Sequence, residues 1–392
     1  VQAPSEPTAL PTEAPAPAPT PEPEPRGLQA WAFPFSVWLG ARVALTLASW
    51  VGLKMERNLQ VPAWLSPQYS LMPVFEPLCR WDCGWFYLIA RDGYVEGWQT
   101  NFFPMLPVLT RLLWYVTRIP PHWGLLIVSN VACLVAYRVL YRMFRRLGDE
   151  QTARWGLILF AAYPFAFFHA AGHPESLMVL FTALAIDHAT RGQHLRASLA
   201  LAAGVLARHL TLLAGLGLLL AQVQQRPSLR GFFKSPAWLA LALPWLSLFG
   251  YMLYQQLAWG DFLTFYKARD NWGELAYWGL TDQIRAWGTN DSRIDIIYTY
   301  LPFAALVLGG AVLSARQRSW WPLAAFGLVL TALSWAVGLW GLGRYSASCW
   351  PAFLALGSVA ARRPMLGMLM TSGLGVSQGI FFFLFTHQYP VI

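Results

Sequence analysis

An all-α polytopic membrane protein is the fold class this sequence predicts, and three observations predict it. Only 12% of the 392 residues are charged while 56% are hydrophobic, against roughly a quarter charged in ordinary soluble domains. Aromatic residues are abundant, with 21 Trp, 24 Phe and 15 Tyr, as in helices that meet a lipid–water boundary. From Trp31 onward, apolar runs of membrane-spanning length alternate with short polar turns. The basic excess, 28 Lys+Arg against 19 Asp+Glu, is scattered between these runs rather than gathered in one stripe. That pattern fits cytoplasmic loops obeying the positive-inside rule and argues against a nucleic-acid partner.

Residues 1–27 are rich in Pro, Ala and Glu and lack aromatics. They cannot bury enough surface to offset the entropy of ordering, so a disordered cytoplasmic tail is expected. The tail has no basic start followed by an apolar core and does not read as a signal peptide, so the first membrane helix is expected to remain as an anchor. The membrane domain then runs over 28–392, with nine spans expected at 31–53, 122–141, 155–171, 174–190, 237–257, 298–315, 319–341, 345–361 and 365–386.

Orientation follows from arginine bias. The group Arg138, Arg142, Arg145, Arg146 and Arg154 is the densest basic stretch, followed by Arg226, Arg230 and Lys234, by Arg316 and Arg318, and by Arg362 and Arg363. Placing all of these in the cytoplasm puts the loop after the first span outside. Lys54 and Arg57 argue locally the other way. Two further segments do not read as simple spans. Residues 197–222 lie between two basic stretches that both favour the cytoplasm, which predicts a re-entrant helical hairpin with Arg208 and His209 at its tip. Residues 102–118 are short, carry two prolines and Arg111, and suit an interfacial helix.

With that topology, the unusual polar groups gather on the outer face. Asp82, Arg91, Asp92 and Tyr94 fall in the first loop, His173 and Glu175 in the turn HPES, Asp261, Lys267 and Arg269 in a second long loop, and Arg344 and Tyr345 in GRYS. Loops and helix ends on one side of a bundle can build one cleft. Asp82, Glu175 and Asp261 can act as bases or orienters, whereas Arg344, Arg208 and Lys267 can hold an anion, with phosphate the natural match for a guanidinium fork. A base beside phosphate-holding cations in a membrane points to transfer from a lipid phosphate.

Plainer roles stand beside this one. Asp82 equally suits a surface carboxylate paired with Arg80, Glu175 a helix N-terminal acid, Arg344 a snorkelling interfacial cation and Lys267 a solvated loop charge. Arg42 and Asp187 are intramembrane charges whose partners the sequence does not name. Of the four cysteines, Cys79, Cys83, Cys133 and Cys349, none has zinc spacing. An oxidising compartment could join Cys79 to Cys83, but isolated packed thiols are the expectation. No cofactor is expected; a divalent cation is possible.

At RWDCGWFYLIARDGY, residues 80–94, followed by NFFPMLPVLTRLL, the chain resembles PIG-V-like mannosyltransferases of the GT-C glycosyltransferase class. The family pattern there is RWD-x-x-W-Y/F-x-x-I-A-x-x-G-Y, then F-F-P-x-x-P-x-L. Four more stretches match in order: YPFAFFHAAGHPESLMVLFTALA, LARHLTLLAG, GDFLTFYKARDNWG and GRYSASCWPAFLALG. Together they reach across most of residues 30–390. The resemblance implies a GT-C helical bundle and sugar transfer from a polyprenyl- or dolichyl-phosphate donor to a lipid-linked or glycan acceptor on the non-cytoplasmic face. Eukaryotic members add the second mannose of a glycosylphosphatidylinositol precursor.

Carried over by position, the resemblance makes Asp82 the expected base and places Glu175, Arg208 and Arg344 at other motif positions. The expected phosphate-holding set is Arg344, Arg208, His209 and Lys267. The expected substrate-binding set is Trp81, Trp85, Tyr94, Phe103, His173, Asp261 and Tyr345. HPES replaces the family's usual Tyr before the glutamate, and RHLT replaces a Pro-Thr-Gly turn, departures that bear on acceptor and donor sugar. Rivals of other classes are a secondary transporter or lipid-carrier translocase, and a non-catalytic membrane subunit. The expected setting is a prokaryotic plasma membrane, or the endoplasmic reticulum in a eukaryote.

Overall fold

The computed structural model describes residues 27–55, 74–226, 228–234, 236–272, 293–337 and 341–387. The proposed tail, residues 1–26 in particular, lies outside them. Among the described residues there is no β-strand, and the all-α class is found. The helices are α1 (Gln29–Met55), α2 (Cys83–Asp92), α3 (Met105–Thr117), α4 (Pro121–Leu147), α5 (Glu150–Ala162), α6 (Glu175–Thr190), α7 (His194–Ala207) and α8 (Ala214–Gln225). They continue with α9 (Leu229–Lys234), α10 (Ala242–Trp259), α11 (Thr264–Lys267), α12 (Arg293–Ser314), α13 (Trp321–Val337), α14 (Leu342–Ala347), α15 (Pro351–Arg362) and α16 (Pro364–Thr386).

Five helical stretches are long and apolar enough to cross a membrane: Gln29–Gly52, Pro121–Leu147, Ala237–Trp259, Arg318–Ala336 and Pro364–Thr386. Their outer faces carry exposed apolar side chains such as Leu47, Trp50, Trp245, Leu246, Leu257 and Leu369. A solvent of water would penalise such a surface and lipid does not. The chain is therefore an integral membrane protein, but the expected count of nine spans is not found. The reason lies in the breaks. The run 155–171 stops as a helix at Ala162, because Pro164 disfavours the helical region for Tyr163 (φ −58°, ψ 137°). The run 345–361 is split before Pro351, which opens α15. At 16 residues α6 rises only about 24 Å, short of an apolar core roughly 30 Å thick.

Among the short helices, α5, α6 and α15 are inner ones. α5 crosses α15 so closely that a methyl group on Gly357 would sit 2.5 Å from the Thr152 carbonyl oxygen and 2.7 Å from Gly156 Cα, the small-residue contact that packs membrane helices. Between α5 and α6 the chain from Tyr163 to Pro174 is irregular and wholly buried. Irregular backbone survives inside a membrane protein only if its polar groups are satisfied, and here side chains do it. Gln378 donates to the carbonyls of Ala161 (3.0 Å) and Tyr163 (2.8 Å). Arg42 Nη2 reaches the carbonyl of His169 (3.1 Å), Asn130 that of Ala170 (2.9 Å) and Ser129 that of His173 (3.0 Å).

α4 ends at Gly148 with Arg145 and Arg146 in its last turn, favourably placed against the helix dipole. Asp149 caps α5 by accepting from Thr152 N at 2.7 Å. The densest basic stretch is thus mostly the end of α4, not a loop. The segment 197–222 folds as the expected hairpin. α7 starts one short turn after α6, reverses at Arg208–Leu213 through a 3-10 turn, and α8 returns until Gln225 donates to the Ala189 carbonyl at 2.9 Å. Both ends of the hairpin therefore sit at the C-terminal end of α6. α3 is short, packs beside α4, and leaves Val108, Leu112, Tyr115 and Val116 exposed, as an interfacial helix would.

Candidate active site

Four helix ends or breaks bring the charged residues together. Asp82 is the last residue before α2 and Glu175 the first of α6, where the N-terminal dipole favours an acid. Arg208 stands at the extended break after α7, and Arg344 lies within the six-residue α14. Arg344 Nη1 donates to Asp82 Oδ2 at 2.6 Å, and its Nε donates to Glu175 Oε1. Arg208 Nη1 donates to the same Glu175 oxygen. Residues separated by 262 and 169 positions thus form one chain of ion pairs, two carboxylates balanced by two guanidinium groups.

Exposure ranks its members. The Asp82 side chain is 29% exposed, Arg208 15%, Arg344 8% and Glu175 0%. Of the four, Asp82 offers the most surface to an incoming molecule, while Glu175 is wholly internal. Arg80 pairs with Glu76 at 2.9 Å rather than with Asp82. Burial sets Arg344 apart from a snorkelling cation, and its guanidinium lies 5.6 Å from the centroid of the Phe168 ring. Arg208 covers the Tyr345 ring at 5.0 Å. Glu175 Oε2 and the Nδ1 of His173 are buried without a hydrogen-bond partner among the described residues.

Aromatic residues form the adjoining wall. Phe103 packs on His209 (5.3 Å between centroids), Tyr251 (4.8 Å) and Phe265 (5.5 Å). His209 therefore sits among rings, not in the ion-pair chain. Tyr94 donates to the Phe102 carbonyl (2.5 Å) and Tyr251 to that of Thr100 (2.7 Å), tying α10 to the loop before α3. Trp85 packs edge-on against Trp98 at 4.7 Å. Trp81, half-buried, adopts a left-handed φ of 55°.

The second long loop does not join the four. Lys267 Nζ pairs with Asp261 Oδ2 at 2.6 Å in an exposed loop. The hydrogen bond from Lys267, then that from the Leu263 amide, holds the Asp261 carboxyl below its ordinary range. The remaining intramembrane charges find structural partners. Arg42 Nε donates to Asn130 Oδ1 at 2.5 Å, and Asp187 receives Arg142 (2.5 Å), Arg146 (3.0 Å) and Arg191 (3.1 Å). Residues 273–292, which follow the second loop, lie outside the described residues.

One expectation fails and two residues were not anticipated. Cys79 and Cys83 are joined in a disulfide, with Cα atoms 5.1 Å apart, rather than standing as separate thiols. The spacing of four, flanking Asp82, was the available signal. Asn130 and Phe168 also escaped notice, although a lone amide in the apolar run IVSNVACL could have marked the former. Among the described residues no group of three or more His, Cys, Asp and Glu is gathered as metal ligands.

Fold and site together define an integral membrane protein with a buried carboxylate–guanidinium centre that opens at one aspartate. Residues 66–241 match the family model described as Mannosyltransferase (PIG-V), so the resemblance carried by the motifs holds over the stretch that contains Asp82, Glu175 and Arg208. GPI alpha-1,6-mannosyltransferase 2 of Mus musculus is 32% identical over 207 residues, 48% of this chain and 39% of that protein. The protein of the same name from Cricetulus griseus is 32% identical over 174 residues, 40% of this chain and 33% of its own length. The chain thus spans about two fifths or less of the curated relatives it matches. Among solved structures, an oligosaccharyltransferase of Archaeoglobus fulgidus, in complex with Zn and sulfate, overlaps 88% of this chain and 53% of its own at 12% identity and a TM-score of 0.42. The Archaeoglobus fulgidus oligosaccharyltransferase AglB, in complex with an inhibitory peptide and a dolichol-phosphate, overlaps 90% and 55% at 11% identity and the same TM-score. The two sequence relatives, from mouse and hamster, lend no support to the expected prokaryotic setting.

Proposed function

We propose that this protein is an inverting GT-C-type mannosyltransferase that moves mannose from a polyprenyl- or dolichyl-phosphate donor to a hydroxyl of a lipid-linked or glycan acceptor. The observation that carries the reading is the ion-pair chain Asp82–Arg344–Glu175–Arg208, in which the most exposed member is a carboxylate. The family match supports the sugar.

In the proposed reaction the acceptor oxygen attacks the anomeric carbon while its proton passes to Asp82. The new glycosidic C–O bond forms as the C–O bond to phosphate breaks, and the electron pair leaves with the polyprenyl phosphate. A phosphate leaving group needs charge neutralisation more than an acid. Arg208, the more exposed of the two guanidiniums, is the group to supply it. Arg344 holds Asp82 Oδ2, leaving Oδ1 to take the proton, and Glu175 fixes both arginines. Trp81, Trp85 and Phe103 supply apolar faces for the sugar. Tyr345 lies under the Arg208 guanidinium, His173, 1% exposed, packs on Phe168, and Tyr94 packs on Tyr251. Lys267 and Asp261, paired with each other in the exposed loop, have no part in it. The site opens to the non-cytoplasmic side; support comes from the Cys79–Cys83 disulfide that brackets Asp82, since such bonds persist in oxidising compartments.

The test uses purified protein in lipid nanodiscs with labelled polyprenyl-phosphate mannose. Asp82→Asn keeps the shape but cannot take the proton, so turnover should fall by about 10²-fold or more with donor binding intact. Normal turnover in that variant removes Asp82 from the role of base. Translocation without transfer would favour a carrier, and neither activity a non-catalytic subunit.

A further inference from the structure

Cys79 and Cys83 enclose Arg80, Trp81 and Asp82 in a ring of five residues. Both cysteines are buried, at 2% and 0% exposure, whereas Arg80, Trp81 and Asp82 between them are half-buried. The ring does three things at once. It encloses Trp81, whose φ of 55° is a left-handed conformation that side-chain-bearing residues rarely adopt. It turns directly into α2, where the Asp82 carbonyl accepts from the amides of Trp85 (3.0 Å) and Phe86 (3.1 Å). And it packs on the turn that carries Glu175: Gly172 N donates to the Leu78 carbonyl at 3.0 Å, and a methyl group on Gly172 would lie 2.5 Å from Cys83 Sγ. Only glycine at 172 lets the sulfur come that close.

We infer that the Cys79–Cys83 disulfide is a positioning element for Asp82. An unrestrained loop would relax Trp81 toward an ordinary φ, and that rotation lies immediately before Asp82, so the carboxylate would swing away from Arg344. The closed ring denies the loop that escape and seats it against the Glu175 turn. The inference rests on the reading of Asp82 as the base, but the disulfide and its effect on the loop can be measured without any transfer.

Three measurements on the nanodisc-embedded full chain test it. First, protein denatured without reductant and treated with a polyethylene-glycol maleimide should take two labels, on Cys133 and Cys349, and four after reduction; four labels without reduction overturn the bond itself. Second, treating the folded protein with a phosphine reductant should speed amide hydrogen exchange across Trp81–Phe86 by about tenfold or more; unchanged exchange overturns the positioning role. Third, the same reduction should lower kcat by about tenfold or more while the donor KM stays within about twofold, the signature of a misplaced base rather than a lost binding site. The double variant Cys79→Ser/Cys83→Ser should be equally slow and indifferent to reductant; turnover equal to the oxidised wild type overturns the inference. If the oxidised wild type transfers no sugar, the proposed reaction fails, while the label count and the exchange still decide the role of the bond.

Discussion

The two ends of α6 carry the two most deeply buried charge clusters of the described residues, and they are built differently. Glu175 at the N-terminus and Asp187 in the last turn are both 0% exposed and both held by arginines. Twelve residues apart, they stand about 18 Å from each other along the axis. Glu175 sits where the helix dipole welcomes an acid, and two guanidiniums suffice, one of them shared with Asp82. Asp187 sits at the end where the dipole opposes an acid, and it gathers three, from Arg142, Arg146 and Arg191. The arginines of the Asp187 cluster are each about 30% exposed and its carboxylate is sealed. In the other cluster the relation is reversed: Arg344 is nearly sealed, Arg208 is half as exposed as those arginines, and a second carboxylate is the most open member. Burial and ion pairing alone therefore do not separate a structural cluster from the proposed reactive centre; an accessible carboxylate fixed by a nearly inaccessible arginine does.

The sharpest way to break that contrast is Glu175→Gln. The substitution keeps the volume but leaves Arg208 and Arg344 facing each other with one fewer negative charge, so Asp82 loses its anchored arginine. Turnover should fall by about 10²-fold, and unfolding in detergent should report a loss of about 3 kcal/mol for the broken buried pair. Because Glu175 has no exposed surface, donor KM should change less than kcat. A fall in KM-limited binding with kcat preserved would place Glu175 in the binding site instead.

Asp187→Asn should come next, and on stability alone. It leaves three guanidiniums crowded at the helix end, at a cost of about 2 kcal/mol once their partial exposure is allowed for. Turnover per folded molecule should stay within about twofold. A drop approaching that of Glu175→Gln would mean that the two clusters act as one and that the contrast between the helix ends is mistaken.

Asn130→Ala probes the support beneath the first cluster. Its amide joins Arg42 to the buried carbonyl of Ala170, so truncation leaves a donor and an acceptor unsatisfied, worth about 1–3 kcal/mol in unfolding. The turn that carries Glu175 begins three residues beyond Ala170, and a modest loss of turnover, about threefold to tenfold, should follow.

How much of this was legible in the sequence depended on whether the signal was local. The all-helical class, the Arg208 hairpin and α3 follow from apolar runs, proline positions and arginine bias, which act over a few residues. The count of spans did not, because whether a helix reaches across the bilayer depends on where its backbone breaks, and the buried stretch Tyr163–Pro174 reads as apolar as a helix would. Which charges meet was legible only through the motifs: nothing local at Arg344 announces a partner 262 positions away. Asn130 and Phe168 act through tertiary contact alone. The disulfide had a local signal, the spacing of Cys79 and Cys83, but spacing does not reveal whether the intervening residues can make the turn.

Lys267→Ala is expected to do least. The chemistry of an ammonium near a phosphate site made Lys267 a candidate, yet its exposed pairing with Asp261 spends its charge outside the buried chain. Exposed ion pairs contribute little to stability because water and salt screen them. The Asp261 carboxyl is held below its ordinary range, so whatever the pair contributes is present at neutral pH and fades only as the pH falls through that lowered value. Between about pH 6 and about pH 8 the variant should match the wild type in melting behaviour, in kcat and in donor KM. A rise of tenfold or more in donor KM would show that the second loop swings in when the donor binds, and would move the phosphate site from Arg208 toward Lys267.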